Sequence, residues 1–219
     1  MSFDLADAEA ALKAKDYPAA FAALMTLARN GHEQAMLRLA EMAVQQQISE
    51  SDLPQLTEDL LKESRANNHH ATLALAMIYW KAPGAIRDIN KAFTLLQSCC
   101  KQELPEGYAS FAKFLMTEGK DMPAAKALSV MELLTQGAER GSIEACFLLG
   151  REYSTGERCP IDNLLAYKYL FMAAKLGHTE SKKFVHLHEG IKDKVSFSGA
   201  MQEALDTISE MESRMVRFV

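Results

Sequence analysis

The feature of this sequence that most restricts its fold is an internal repeat of 36 or 37 residues. Apolar side chains three and four residues apart, the spacing of one helix face, recur at matching offsets along the chain. The reference positions of the repeat are Ala35, Ala71, Tyr108, Ala145 and Ser181. Such a period is typical of stacked helix pairs, because one pair cannot bury both of its apolar faces alone.

Each repeat is predicted to hold two helices whose ends carry recognisable residues. Glycine and asparagine tolerate the left-handed conformation that ends a helix, and aspartate is a favoured N-cap. Four residues before the reference positions stand Gly31, Asn67, Leu104, Gly141 and Gly177. The expected N-caps of second helices are Asp16, Asp52, Asp88 and Asp162. The fourth pair departs from this pattern, since Lys113 takes the place of a small residue and Met116 that of a tyrosine.

These patterns predict one all-α repeat domain over residues 1–219, an α/α superhelical solenoid of about five helix pairs with C-terminal capping helices. The expected pairs are about 4–30, 33–67, 70–102, 106–140 and 143–177. An extra helix is expected at 179–190 and a capping helix at 198–218. The apolar stripe of that last helix (Met201, Leu205, Ile208, Met211, Met215 and Phe218) is interpreted as a cover for the end of the solenoid, with a docking surface or homodimer seam as the alternative.

Composition narrows the classes of function. A hydrophobic fraction of 48% supports a packed core, and four cysteines are too few for a disulfide scaffold. The net charge of −5 argues against a nonspecific nucleic-acid binder. No apolar run approaches the ~18 residues of a membrane span, and the acidic start differs from a secretory signal. We therefore expect a cytoplasmic protein without nucleic-acid partner or membrane span.

The fifth pair carries a known pattern. Its residues Ala145, Leu149, Gly150, Tyr153, Gly156, Asp162, Ala166, Tyr169, Ala173, Ala174 and Gly177 resemble the Sel-one-like repeat (SLR) family, which is related to tetratricopeptide repeats. The third pair repeats the match with Ala71, Leu75, Ala76, Tyr79, Gly84, Asp88, Lys91 and Ala92. The resemblance departs at Arg158 and Cys159, where the family usually has glycine and valine.

The resemblance implies a right-handed superhelix that acts as a non-enzymatic adaptor for a protein or peptide. One secreted, cysteine-rich branch of the family binds penicillin-like compounds and has been linked to β-lactam hydrolysis. Its disulfide pairs recur with the repeat, whereas Cys99, Cys100, Cys146 and Cys159 do not. Two alternatives to the adaptor remain: a small-molecule-binding or hydrolytic protein like that branch, and a structural subunit that associates with itself.

In such solenoids the first helix of each pair lines the concave face, which selects candidate partner-binding residues by register. Four of them would form an apolar strip for side chains of a bound peptide: Met77, Trp80, Phe114 and Phe147. Lys81 and Arg151 would flank the strip and pair with carboxylates of the peptide. The alternative for each apolar residue is simple packing between helices, and Trp80 is the best candidate for exposure because Tyr79 already fills the core position.

No catalytic, metal or cofactor site emerges from the motifs. His186 and His188 are two residues apart on a helix and point to different faces, so they are not expected to chelate a metal. No phosphate-binding glycine loop or nucleophile elbow is present. The remaining candidate is a reactive thiol at Cys159, whose neighbour Arg158 would lower its pKa.

Overall fold

The computed structural model describes residues 4–125, 128–189 and 194–216. In these ranges the regular secondary structure is helical and contains no strand, so the predicted all-α class is confirmed. The chain divides into two compact units, the first ending at Gln102 and the second beginning at Glu103. That the repeats form a single domain stays a prediction.

The first unit contains six α-helices among its described residues: α1 (Leu5–Lys13), α2 (Tyr17–Arg29), α3 (Glu33–Val44), α4 (Leu53–Arg65), α5 (His69–Lys81) and α6 (Ile89–Lys101). A 3-10 turn, Gly84–Ile86, precedes α6. Helices α1 and α2 pack together, α2 packs on α3, α3 on α5, and α5 on both α4 and α6. Their apolar faces enclose a core that runs from Ala8 to Ala82.

The described part of the second unit also contains six α-helices: α7 (Pro105–Glu118), α8 (Val130–Glu139), α9 (Ile143–Thr155), α10 (Asn163–Lys175), α11 (Thr179–Glu189) and α12 (Lys194–Val216). The 3-10 turns Gly119–Asp121 and Pro123–Ala125 follow α7. Helix α9 packs on α7, α8 and α10, and α10 also carries α11 and α12. A second core runs from Ala109 to Met211.

Helix α12 begins at Lys194, four residues earlier than predicted. Its Ala204 and Met211 are buried, whereas Met201 and Leu205 are each 38% exposed. The predicted stripe is therefore buried only on the side that packs along α10. The side chain of Met215 and all of Phe218 lie outside the described residues.

The predicted aspartate caps are present at three of four positions. The carboxylates of Asp16 and Asp88 accept the N–H groups of Ala19 and Lys91 at 3.1 Å and 3.0 Å. Asp162 accepts two N–H groups in the first turn of α10 at 3.0 Å. Asp52 stands at the N-cap of α4 without a side-chain cap bond. These bonds satisfy donors that a helix leaves open at its N-terminus.

A small residue lets α9 and α10 approach closely, as the sequence predicts. A Cβ atom added to Gly150 would lie 2.5 Å from Cγ of Leu170 and 3.1 Å from the carbonyl oxygen of Ala166. No ordinary side chain fits at that distance. Gly150 therefore fixes the separation of the two helices in the fifth pair.

The fourth pair has its register one residue earlier than predicted. Glu103 has φ +57°, in the left-handed region also occupied by Asn67 (+67°) and Gly141 (+89°). Glu103, not Leu104, therefore ends the preceding helix in the left-handed conformation. The reference position of this pair is consequently Gly107 instead of Tyr108.

The corrected register removes one apparent departure of the fourth pair and moves the other to a different residue. Counted from Gly107, Ala112 takes the small-residue position and is fully buried. Leu115 takes the position that holds tyrosine in the third and fifth pairs. Lys113 and Met116 therefore lie outside these two positions and are half-buried, so the predicted substitutions at these two residues were wrong.

Candidate protein-interaction surface

The three candidates of the first unit lie on α5. Met77 is half-buried and packs against the core of that unit. Trp80 is only 5% exposed, so the expectation that it is the most exposed of the apolar candidates was wrong, and packing dominates its environment. Lys81 is exposed, and its Nζ atom lies 4.2 Å from the centroid of the Trp80 ring. The ammonium therefore sits over the aromatic face, a favourable cation–π geometry.

The three candidates of the second unit differ in exposure. Phe114 is fully buried, because the corrected register turns it from the surface into the core. Phe147 is half-buried, and the side chain of Arg151 is 47% exposed. For Phe114 the structure therefore favours the packing alternative, whereas Phe147 and Arg151 share one face of α9, four residues apart.

Helices α7 and α9 bring two further side chains to that face. Lys113 of α7 binds Glu144 of α9, with its Nζ atom 3.0 Å from Oε1. Met116 of α7 accepts an N–H of Arg151 at its sulfur atom, 4.0 Å from Nη2. We call Lys113, Met116, Glu144, Phe147 and Arg151 the α7–α9 surface. It combines apolar and charged groups on two packed helices.

The Phe147 ring is held by the start of α11. It stacks on the His178 ring with centroids 4.2 Å apart and planes inclined by 30°. His178 is fixed in turn, because its Nδ1 accepts the Ser181 N–H at 3.2 Å and lies 2.9 Å from the Ser181 hydroxyl. The aromatic part of the α7–α9 surface is therefore pre-positioned by a helix cap.

A buried carboxylate lies directly beneath the charged end of this surface. The Glu152 side chain is fully buried, and Nη1 of Arg158 donates to its two oxygens at 2.9 Å and 3.0 Å. Nη2 of Arg151 lies 3.6 Å from Oε1, close enough for an ion pair but beyond hydrogen-bond length. One carboxylate thus lies between two guanidinium groups.

Sequence reasoning missed Glu152, although the repeat contains the signal. The position seven residues after the reference position holds Met42, Ile78 and Phe114 in the second, third and fourth pairs, all buried. The fifth pair has Glu152 there. A charged residue at a position that three other pairs fill with large apolar side chains marks an exception that the register alone could have found.

Cys159 does not have the environment of a reactive thiol. Burial raises the pKa of the Cys159 thiol, and the negative charges of Glu152 and Asp162 raise it further. Its neighbour Arg158 is bound to Glu152 and also to Glu157 at 3.1 Å. The basic neighbour on which the thiol hypothesis rested is thus neutralised by carboxylates.

No metal site is found within the described ranges, where no three or more histidine, cysteine, aspartate or glutamate residues converge. The side chains of His186 and His188 lie outside the described residues. None of the described helices has the length and apolar character needed to cross a bilayer.

Comparisons with known proteins identify the repeats. The Sel1 repeat family matches residues 69–103 and 143–178, which are the third and fifth helix pairs. These two pairs match the Sel1 repeat model, so the resemblance inferred from their residues is confirmed. Sel1 repeats are generally protein-interaction modules and typically non-enzymatic scaffolds. Among curated proteins, none matches the chain.

Two solved structures are similar to this chain. A Sel1 repeat protein from Oxalobacter formigenes is 19% identical, with a TM-score of 0.57 over 94% of this chain and 84% of that chain. The protective antigen c5321 of uropathogenic Escherichia coli, which displays an SLR fold, is 15% identical, with a TM-score of 0.40 over 92% of this chain and 51% of that chain. The first of these supports the solenoid fold.

Proposed function

We propose that this protein is a non-enzymatic adaptor that binds a peptide segment of another protein on the α7–α9 surface of its second unit. The observation that carries the proposal is that two apolar side chains, Phe147 and Met116, lie next to the exposed guanidinium of Arg151. An apolar side chain of the peptide would contact the first two residues. A carboxylate of the peptide would pair with Arg151.

The geometry of the surface favours binding at low entropic cost. Helices α7 and α9 pack on each other, and the stack with His178 holds the Phe147 ring in place. A receptor that is ordered before binding loses little conformational freedom on association. Within the described residues, Arg151 makes no hydrogen bond to an oxygen atom, so its N–H groups can donate to a ligand.

The candidates of the first unit form a separate proposal. Met77 and Lys81 would contribute to partner binding from α5, with Trp80 supporting Lys81 from below through the cation–π contact. Phe114 is assigned to the core instead. A cytoplasmic location also stays a proposal, which fractionation of native cells would test.

Photo-crosslinking tests the proposed surface directly. Benzoyl-phenylalanine placed at Met116 should form an adduct with one protein in native cells, and mass spectrometry should map the bound peptide segment. The same group at Leu164 of α10, which is 46% exposed, should give no such adduct. The Met116 adduct should disappear when Arg151→Glu is introduced.

Calorimetry with a synthetic copy of the mapped segment then measures the contribution of each side chain. Arg151→Ala and Phe147→Ala should each weaken binding about tenfold, as expected for an interface residue worth more than about 1 kcal/mol. Arg65→Ala, at the exposed end of α4, is the matched control and should leave affinity unchanged. Equal affinities for all variants would contradict the proposal.

Turnover of a chromogenic β-lactam would support the hydrolytic alternative, and concentration-dependent oligomers in light scattering would support self-association.

A further inference from the structure

Glu152 occupies a position where this fold accepts large apolar side chains. Met42, Ile78 and Phe114 fill the equivalent position in three other pairs and are at most 2% exposed. Glu152 is as deeply buried as they are. A buried carboxylate must be paired to be tolerated, and Arg158 supplies that pairing from the loop after α9.

Stability alone does not explain this ion pair. Replacing a buried ion pair by apolar residues of similar size is often neutral or stabilising, because desolvation of two charges offsets their attraction. Apolar residues at the equivalent positions of the other pairs show that the repeat folds without the charge. The pair therefore calls for a role other than holding the fold together.

The arrangement of the two arginines indicates that role. Arg158 approaches both oxygens of Glu152 to hydrogen-bond distance, whereas Arg151 remains 3.6 Å from Oε1. If Arg158 were absent, the nearest cation to the buried carboxylate would be Arg151. Its guanidinium would then close on Glu152, and its charge would no longer be available at the α7–α9 surface.

We propose that Arg158 is a positioning residue: it occupies both carboxylate oxygens of Glu152 and thereby keeps the guanidinium of Arg151 available to a ligand. The ligand carries a carboxylate with an adjoining aromatic or apolar group. This inference rests on the proposed function and adds the role of Arg158 in keeping Arg151 available. The ligand carboxylate would accept N–H groups of Arg151. The adjoining group would lie on Phe147, one helical turn away on α9, and on Met116 of α7, whose sulfur contacts Arg151.

Small peptides serve as probes of this chemistry. Acetyl-Phe-Asp-amide carries a side-chain carboxylate, and acetyl-Phe-Leu carries a terminal one. Their uncharged counterparts, acetyl-Phe-Asn-amide and acetyl-Phe-Leu-amide, are the controls. Binding is followed by NMR through the Nε–Hε resonance of Arg151 and the amide resonance of Phe147. The charged peptides should shift both resonances saturably, and whichever of the two binds more tightly identifies the source of the carboxylate.

Four variants separate the roles of the residues. Arg158→Ala should weaken binding of the charged peptide about tenfold, because Arg151 no longer offers its full set of charge-assisted hydrogen bonds to the peptide carboxylate. In peptide-free Arg158→Ala, the Nε–Hε resonance of Arg151 should also be shifted relative to the wild type, because the guanidinium moves onto Glu152. Glu152→Met/Arg158→Ala should restore the affinity, because no carboxylate remains to capture Arg151. Glu152→Met alone should bind within about threefold of the wild type. Arg151→Ala should lose the binding in every background.

The outcomes distinguish this inference from the proposed function. All titrations are made on variants whose amide spectra show a folded protein, so loss of structure is not mistaken for loss of affinity. If Arg158→Ala binds as well as the wild type while Arg151→Ala does not, the positioning role is wrong and the surface stands. If Arg151→Ala also binds normally, the α7–α9 surface itself is wrong.

Discussion

The Nη1 atom of Arg158 lies 2.9 Å and 3.0 Å from the two carboxylate oxygens of the fully buried Glu152. This contact ties the loop after α9 to the interior of the second unit. Because Arg158 is itself partly exposed, the pair lies across the boundary between core and solvent.

Removing one partner of this pair should cost more stability than removing both. Arg158→Ala removes the hydrogen-bonded partner of a buried carboxylate, which Arg151 replaces only in part, and should lower the free energy of unfolding by about 2–4 kcal/mol. The variant Glu152→Met/Arg158→Ala should lie within about 1 kcal/mol of the wild type, since an apolar side chain then fills the position. Urea unfolding followed by circular dichroism measures both. Equal losses for the two variants would show that the cost comes from the loop and not from the carboxylate.

The corrected register of the fourth pair predicts unequal effects for two phenylalanines. Phe114→Ala should destabilise the protein by about 3–5 kcal/mol, because it opens a cavity at a fully buried position. Phe147→Ala should cost about 1 kcal/mol, since the ring is half-buried and lies against His178 at the surface. Thermal and urea unfolding of both variants check the order. A reversed order would restore the register counted from Tyr108, with Phe114 at the surface.

Gly150 and Gly199 should respond in opposite directions to a methyl group. Gly150→Ala forces a Cβ atom to within 2.5 Å of Leu170 and should destabilise by about 1–3 kcal/mol. Gly199 lies in α12 with open space where a methyl group would stand, so Gly199→Ala should stabilise by up to about 1 kcal/mol through helix propensity. The two melting temperatures should therefore move apart. A higher melting temperature for Gly150→Ala would contradict the close approach of α9 and α10, and a lower one for Gly199→Ala would contradict the open space at residue 199.

The start of α3 lacks a side-chain cap bond that three equivalent helices, α5, α9 and α11, possess. Asn68, Ser142 and His178 each accept the N–H three residues later, at 3.1 Å to 3.2 Å. His32 stands at the same position without a side-chain cap bond, and its buried Nδ1 has no partner among the described residues.

A better acceptor at this position should stabilise the first unit. His32→Asn should raise the free energy of unfolding by about 1 kcal/mol, the usual contribution of an N-cap bond. His178→Ala should lower it by about the same amount, because it removes an existing cap. Calorimetric melting of the two variants measures both. A neutral effect of His32→Asn would mean that the backbone at residue 32 does not present the side chain to Ala35.

Two buried thiols should make the fold sensitive to alkaline pH. Burial raises the pKa of the Cys99 and Cys146 thiols to about 12. An unfolded thiol loses its proton near pH ~8.5, so the unfolded state gains stability as pH rises from there towards the folded-state pKa. The contribution of each neutral thiol to the free energy of unfolding is thus fully present below pH ~8.5 and should fall by about 2 kcal/mol by pH ~10.

Unfolding curves at neutral pH and at pH ~10 measure this loss. Cys146→Ala removes one of the two titrating groups and should reduce the difference between the two curves. If the variant shows the same pH dependence as the wild type, Cys146 does not contribute. The Cys159 thiol lies outside this comparison because its side chain is only partly buried.

The helical class and most element ends follow from short-range signals in the sequence. The glycines and aspartates that stop and cap helices act through their own backbone and nearest neighbours, so Gly31 and Asp88 could be interpreted without knowing the packing. Glu103 shows the limit of this approach. It adopts the left-handed conformation that glycine favours, although a glutamate side chain has no property that predicts this conformation.

The candidate surface was predicted only in part for the same reason. The register of the fifth pair selected Phe147 and Arg151, whose role in partner binding stays a proposal, whereas the one-residue error in the fourth pair selected Phe114 instead of Lys113. Glu152 could have been flagged from the repeat, but its pairing with Arg158 depends on the path of a loop. That path is set by tertiary contacts that the sequence pattern does not encode.

The cap of α11 has a consequence for the chemistry of His178. Because Nδ1 accepts a backbone N–H, the neutral imidazole must carry its proton on Nε2, and the tautomer is set by the chain itself. The same ring lies against Phe147. The imidazole nitrogens are therefore a built-in spectroscopic reporter, whose resonances should register any molecule that displaces the neighbouring phenyl group.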